Sequence, residues 1–394
     1  MRGDRTSSST RGSTRGHLVV AMTICVAGVG ALARMNFSPS PSALRQAQTD
    51  HSYSINQREI KDLTFVDSLH GWIVASDNSR REAYLYSTTD GGKSWSVQPA
   101  PRGLYRITFV NPRVGWGLAM LNGPAEPPLT SLLRTETGGD VWSTLPNDGL
   151  ARANRDGFLP VALGFADLHS GWIIGAGAYN TGMVLKTSDG GRTALRLSKA
   201  TLPVGAPMGL VVREATVWIY GVEFAICSQD GGRTWGAVDA AQFGTTHYNF
   251  NMNSGFLNER GQGWLAGNAP DPTILSTDDG GKHWKLALRT KESGRTFEAI
   301  SSWDSSHVCA VEGPTLLYCS PDGGANWSAR DVIPKPEIGQ ADFFLNLVML
   351  ASGRGWALRA GGYLYATSDG GRTWESFDPA AGRGSHSLAD AGLK

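Results

Sequence analysis

The stretch Thr367-Ser368-Asp369-Gly370-Gly371-Arg372-Thr373-Trp374 decides how this chain is read, because versions of it recur from residue 88 onward. Thr88 to Trp95, Thr187 to Ala194, Ser228 to Trp235, Thr277 to Trp284 and Ser320 to Trp327 repeat it closely, and Thr135 to Trp142 is a worn copy. The Gly-Gly pair stands in all seven. Thr137 replaces the aspartate once, and Ala194 replaces the tryptophan once. A fixed motif returning at intervals of about 40–50 residues means a repeat architecture.

An aspartate before two glycines suits a tight turn, since its carboxylate accepts backbone N–H groups further along the turn. Glycine then takes up positive φ without steric cost. Short β-type runs such as Tyr84-Leu85-Tyr86-Ser87 and Tyr363-Leu364-Tyr365-Ala366 precede the turn, and a Trp with a second short run follows it. That is strand, hairpin turn, strand, with a large aromatic set between neighbouring sheets. Asp90, Asp189, Asp230, Asp279, Asp322 and Asp369 are therefore read as turn-holding residues. Trp95, Trp142, Trp235, Trp284, Trp327 and Trp374 are read as packing residues, Trp374 filling space beside the next unit.

A second signature precedes each turn. Phe65-Val66-Asp67-Ser68-Leu69-His70-Gly71-Trp72 returns as Phe109 to Trp116 and Phe165 to Trp172, with echoes at Val217-Trp218, Gly263-Trp264 and Gly355-Trp356. The sixth copy, Val308-Cys309-Ala310, has lost its Trp. Twelve of the 13 tryptophans fall on these two repeat positions, and Trp303 is assigned to the first strand of the sixth unit. Each unit then holds four short β runs. Seven units, at about 61–99, 104–147, 160–199, 207–240, 252–289, 297–331 and 341–378, predict an all-β, seven-bladed β-propeller of four-stranded antiparallel blades within residues 52–378.

The pairing of F-x-D-x-x-x-G-W with T-x-D-G-G-x-T-W resembles the photosystem II stability/assembly factor-like repeat proteins, propellers of the sialidase-type Asp-box (BNR) class. The resemblance covers residues 60–378 and implies an exported scaffold that binds a protein partner and has no chemistry of its own. It does not imply a photosynthetic host.

Residues 1–17 are basic, with Arg2, Arg5, Arg11 and Arg15, and Leu18 to Ala33 form an uncharged apolar run closing on Ala31-Leu32-Ala33. This reads as a signal peptide cleaved after Ala33; an uncleaved membrane anchor is the alternative. Residues 34–51 read as a flexible spacer and 379–394 as a disordered tail. The expected location is outside the inner membrane: periplasmic, extracellular or anchored. Membrane contact is expected only through the N-terminal segment, if it is retained.

Charge is balanced, 36 Lys+Arg against 35 Asp+Glu; without residues 1–33, which carry four Arg and one Asp, it is 32 against 34. Nothing there points to nucleic acid. Cys309 and Cys319 lie on adjacent short strands and can bridge across a hairpin in an oxidising compartment, two separate buried thiols being the alternative. Cys227 reads as core. No metal-ligand spacing links the eight histidines, and no cofactor motif appears, so no metal and no cofactor is expected.

An enzyme is the minority reading. Tyr105-Arg106-Ile107-Thr108 superficially resembles the arginine motif of sialidases, but it lacks their proline and follows the first Asp turn instead of preceding it. Seven units also disagree with six sialidase blades. A carbohydrate-binding or glycoside-hydrolysing propeller remains the alternative to a monomeric scaffold binding a protein or cell-envelope ligand.

In an up-and-down blade the Asp turns share one end with the first-to-second strand loops. The opposite end then receives the long irregular segments 120–131, 145–160, 239–251, 289–296 and 330–340. Loops on a rigid scaffold are where function usually sits. Arg80, Arg81, Arg152, Arg155, Asp156, Tyr248, Arg289 and Arg295 are the candidate binding residues of that face, with Lys291 and Lys335 beside them.

Overall fold

A computed structural model of the protein describes residues 58–77, 82–120, 129–177, 182–196, 205–291, 294–335 and 343–380. Blade 1 consists of β1 (Arg58–Phe65), β2 (Gly71–Asp77), β3 (Glu82–Thr88) and β4 (Ser96–Ala100). Blade 2 runs from β5 (Leu104–Phe109) to β8 (Trp142–Thr144), blade 3 from β9 (Leu159–Phe165) to β12 (Leu195–Arg196), and blade 4 from β13 (Pro207–Arg213) to β16 (Gly236–Ala237). Blade 5 runs from β17 (Asn251–Leu257) to β20 (Lys285–Arg289), blade 6 from β21 (Phe297–Ser302) to β24 (Ser328–Asp331), and blade 7 from β25 (Phe344–Met349) to β28 (Glu375–Ser376). All seven sheets pair their strands antiparallel in chain order, and the first strands adjoin one another around a closed ring.

Among the described residues no strand is exchanged to close that ring. Blade 7 meets blade 1 through Asn346, whose side-chain N–H donates to the Leu63 carbonyl at 2.8 Å, and through Trp356, stacked on Phe65 with ring centroids 5.0 Å apart. Phe377 and Ala380 pack into the same cluster. Residues 377–380 are thus part of the folded seam, past the expected last propeller residue, 378. The first blade starts at Arg58, a few residues before the expected 61. The leader and spacer, like residues 381–394, lie outside the described residues. Trp303 stands just past β21, stacked on His307 at 5.0 Å, and is not a strand residue.

The two repeat signatures are two halves of one joint. Trp72 lies flat on Phe109 of the next blade, centroids 3.7 Å apart, and its indole N–H donates to the Gly138 carbonyl in that blade's turn at 2.8 Å. Trp218 reaches the Gly280 carbonyl in the same way, at 2.9 Å. Between blades 3 and 4 the carbonyl of Gly231 is taken instead by the Lys186 ammonium, which lies over Trp172.

The glycine before each Trp follows from this joint. A Cβ on Gly71 would stand 2.5 Å from the Phe65 ring, and one on Gly171 would stand 2.4 Å from Phe165. In blades 4 and 6, where Val212 and Ser302 replace the Phe, Val217 and Val308 replace the Gly.

Within the turn, the Thr367 hydroxyl donates to Asp369 at 2.8 Å and accepts the Gly371 N–H at 3.0 Å. Asp369 in turn accepts the N–H of Arg372 and Thr373 and the Thr373 hydroxyl, the last at 2.6 Å. Gly370 and Gly371 sit at φ +75° and +80°, which L side chains rarely adopt. In the worn copy Thr137 still accepts the Val141 N–H at 2.8 Å, one bond of the aspartate's set.

The turn Trp packs against the preceding blade, which corrects the expected direction. Trp374 buries against Cys309, Val311 and Leu317 of blade 6, and Trp284 meets Trp218 of blade 4 edge-on at 4.9 Å.

Candidate protein-binding face

Every first strand carries a register break near the end opposite the Asp turns. The bulged residues are Lys61, Tyr105, Val161, Met208, Asn253, Glu298 and Leu345, one per blade. A bulge leaves one residue outside the ladder and bends its strand. Here it frees polar groups that then tie neighbouring first strands together around the mouth of the ring. Arg106 donates to the carbonyls of Lys61 in blade 1 and Val161 in blade 3, at 2.6 and 3.0 Å. Asn253 donates to the Phe297 carbonyl at 2.9 Å, and Glu298 accepts the Phe344 N–H at 2.7 Å.

These contacts bear on the arginine motif. Nε and Nη1 of Arg106 are engaged by main-chain carbonyls of three blades, a structural assignment. Burial pushes the neighbouring Asp62 carboxyl above its ordinary value, against the opposing pull of Arg106 and of the Ile107 and Leu63 N–H groups. Tyr105 is pushed up to about 12 by burial, and its hydroxyl donates to the Pro160 carbonyl. Arg106 and Asp62 stitch the ring; they do not face one another across a substrate space.

The segment after blade 2 departs from the expected irregular loop. Residues 148–155 form a helix, α1 (Asp148–Arg155), whose N-cap Asn147 accepts the Leu150 N–H at 2.8 Å. Asn147 also donates to the Gly191 carbonyl in the blade 3 turn, and Asn154 donates to the Thr130 carbonyl at the start of β7 (Thr130–Thr135). The helix therefore lies along the groove between blades 2 and 3, from the Asp-turn end to the loop end. Leu150, Ala153 and Phe158 bury there against Trp116. Ala194 belongs to the same cluster, and a Cβ on Gly149 would stand 1.9 Å from its carbonyl. The helix fills the space that a turn Trp fills elsewhere, so the missing Trp of unit 3 and the extra segment before it are one adaptation.

The aromatic segment after blade 4 behaves alike. Phe243 and Phe250 are buried between blades 4 and 5, whereas His247 and Tyr248 stay outside, Tyr248 at 67 % exposure. Arg289, proposed from sequence as a binding residue, is a staple for this segment. Its Nη2 donates to the carbonyls of Phe243 at 2.7 Å and Ala269 at 2.6 Å, and its Nε reaches the Thr273 hydroxyl.

Of the other candidates, Arg152, Arg155 and Asp156 are exposed at the C-terminal half of α1, and Arg295 is half-buried beside Gly313. Arg155 and Asp156 close the helix at the end that Asn154 ties to Thr130, and Arg152 lies in the same last turn. Arg80 and Arg81 lie outside the described residues. Leu345, absent from the sequence candidates, is 44 % exposed at the channel mouth. Its signal was the register break, which no single-strand pattern reveals.

Among the described residues no cluster of three or more His, Cys, Asp or Glu is placed to hold a metal ion, and no helix is long and apolar enough to cross a membrane. A cleft of about 400 Å³ lies beside the Asp turns of blades 5 and 6, bordered by Gln262, Asp278, Lys285, Leu286 and Asp322. A smaller one, about 160 Å³, lies under residues 377–380 at the seam of blades 7 and 1. The first belongs to the Asp-turn end, whereas the second opens toward the loop end, where Gly362 and Tyr363 close the hairpin beside Ile60.

Residues 212–332 match the family model described as photosynthesis system II assembly factor YCF48. That match falls on blades 4 to 6 of the seven. A structure described as YCF48 bound to D1 peptide is similar at 20 % identity and TM-score 0.55, covering 79 % of this chain and 92 % of that one. An ancestral GH74 enzyme is similar at 12 % identity and TM-score 0.55, over 82 % of this chain and 46 % of its own. The extracellular domain of a one-component system from B. thetaiotaomicron is similar at 9 % identity and TM-score 0.51, over 79 % and 38 %. At such identities the likeness to solved structures carries the fold alone. No curated protein matches the chain in sequence.

Proposed function

We propose that this chain is an exported scaffold that holds a protein partner on the loop face, without catalysing a reaction. One observation carries the reading: the segments that differ from blade to blade converge on one end and are anchored by buried contacts. Asn147 and Asn154 fix α1, Arg289 fixes residues 243–250, and the bulge contacts fix the channel mouth. Such anchoring presents Arg155, Tyr248 and Leu345 on a surface that needs little ordering on binding, which favours affinity. Tyr, Arg and apolar side chains are those enriched at protein interfaces. The peptide held by YCF48 supports a protein-class partner. The buried Cys309–Cys319 disulfide supports maturation in an oxidising compartment.

The test is capture from the envelope fraction of the native organism with three forms of the full chain: wild type, Arg155→Glu with Tyr248→Ala, and Arg372→Ala on the Asp-turn end. The reading expects a partner retained by wild type and Arg372→Ala and lost, tenfold or more, by the loop-face variant. Loss through Arg372→Ala with retention by the loop-face variant would assign the partner to the other end.

A further inference from the structure

The seam between blades 6 and 7 is built unlike the others. Cys309 stands at the second position of β22 (Val308–Glu312), where Trp72, Trp116, Trp172, Trp218, Trp264 and Trp356 stand in the other blades. Met349 stands where Phe65, Phe109 and Phe165 stand, paired with Gly355, and a Cβ on that glycine would meet its sulfur at 2.3 Å. Cys309 is bonded to Cys319, directly opposite on β23 (Leu316–Ser320), and is buried among Leu317, Leu347, Met349 and Trp374. A cystine beside a thioether thus replaces an indole stacked on a phenyl ring. Removing the bond between the sulfurs leaves two small thiols where a large aromatic would have spanned the gap.

The hairpin that this bond closes is also a point of attachment for its neighbours. Thr290, from the end of blade 5, donates to the buried Glu312 carboxylate at 2.8 Å. The N–H groups of Val332 and Ile333 donate to the Thr315 carbonyl. Arg359 of blade 7, fully buried, donates to the carbonyls of Pro314 at the hairpin tip and Pro334 in the inter-blade segment, and to the Tyr365 hydroxyl. Blade 7 and residues 332–335 therefore hang on one hairpin with its strands covalently tied.

We propose that the Cys309–Cys319 disulfide is a redox-sensitive clamp on this seam. Its reduction loosens blades 6 and 7 and residues 332–335 while the other five blades stay folded. The reductant is a dithiol. One thiolate of it attacks Sγ of Cys319, the less buried of the pair, and the S–S bond breaks with its electron pair leaving on Cys309, which takes a proton. The reductant's second thiol then displaces Cys319 as a thiol, and the dithiol ends as a disulfide. Two electrons and two protons have passed to the protein. Because Cys309 is sealed by Trp374 and Met349, attack follows a local opening of the seam.

The experiment compares the full chain with and without dithiothreitol by thermal melting and by amide hydrogen exchange read peptide by peptide. Reduction should lower the melting temperature by roughly 4 °C, the effect of losing a short-loop crosslink in a domain of this size. Exchange should rise tenfold or more in residues 308–320, 332–335 and 344–367, with blades 1–5 unchanged. Cys309→Ser with Cys319→Ser should show the reduced behaviour under both conditions, and Cys227→Ser the wild-type response. Should the double variant fail to fold, the wild-type comparison still decides. Alkylation of Cys309 and Cys319 in the unreduced, denatured protein, an unmoved melt, or exchange rising evenly around the ring would each overturn the proposal.

Discussion

Trp116 of blade 2 lies on Phe165 of blade 3 with ring centroids 3.7 Å apart and planes 3° from parallel, and its indole N–H donates to the Gly190 carbonyl at 2.8 Å. One residue thus joins the two repeat signatures across a blade boundary. Arg134 adds its guanidinium over the same indole at 5.3 Å. Trp116→Ala should cost about 3–5 kcal/mol, the range for large aromatics truncated in a core. A double-mutant cycle with Phe165→Ala should return a coupling of about 0.5–1.5 kcal/mol. Urea unfolding of the four proteins checks both figures, and zero coupling would refute the joint.

Ala194→Trp restores the repeat consensus and should nonetheless destabilise the protein. The space is occupied by α1, whose Gly149 and Leu150 pack on Ala194. Overpacking of this kind costs about 1–3 kcal/mol. If the helix is displaced, trypsin should cut after Arg152 and Arg155 in the variant and spare them in the wild type. A variant with a higher melting temperature would show that the groove has room for both.

Arg289→Ala should be destabilising by about 2–3 kcal/mol, because it strips charged donors from the carbonyls of Phe243 and Ala269. Lysine should not rescue it, since one ammonium cannot reproduce the planar fork. Arg152→Ala, at an exposed position, should stay within about 0.5 kcal/mol of wild type. Equal melts for the two alanine variants would return Arg289 to the pool of binding residues.

The Asp turns give the protein an acid limit. The side-chain and backbone N–H groups of Asn326, with the Ser320 hydroxyl, hold the Asp322 carboxyl down at about 2. For Asp90 and Asp189 the slight burial pushes upward, but hydrogen bonds led by Ser94 and Thr193 outweigh it and bring both to about 2. Asp230, Asp279 and Asp369 are lowered as well. An unfolded aspartate titrates near 3.9 (about 4), so this stabilisation is complete above about pH 4 and is lost as pH falls toward about 2. Melting temperature against pH should bend downward below about pH 4, and Asp322→Asn should make that bend shallower. A profile in which the variant bends as steeply as wild type would detach the limit from these turns.

Seven blades, their four strands and the turn-holding role of the aspartates were legible in the chain itself. They rest on local chemistry repeated seven times: Asp-Gly-Gly turns, alternating strands and aromatics at two fixed positions. The direction of the joints was not legible. Trp374 packs backward and Trp72 forward, a choice set by the order of blades around a ring that no single unit contains.

The binding face was legible only as a list of loop charges, and tertiary structure sorted it. Arg289 and Arg106 turn inward because bulges and inter-blade segments expose main-chain carbonyls that need donors once water is excluded. Residues 148–155 are helical because a groove vacated at Ala194 offers Leu150 and Phe158 a buried side to pack on, and a helix this short is not stable without one. The sequence by itself determined the repeat, since that depends on neighbours along the chain. Which polar side chains stay outside was decided by neighbours in space, because burial of a charged group depends on the acceptors that the assembled ring brings to it.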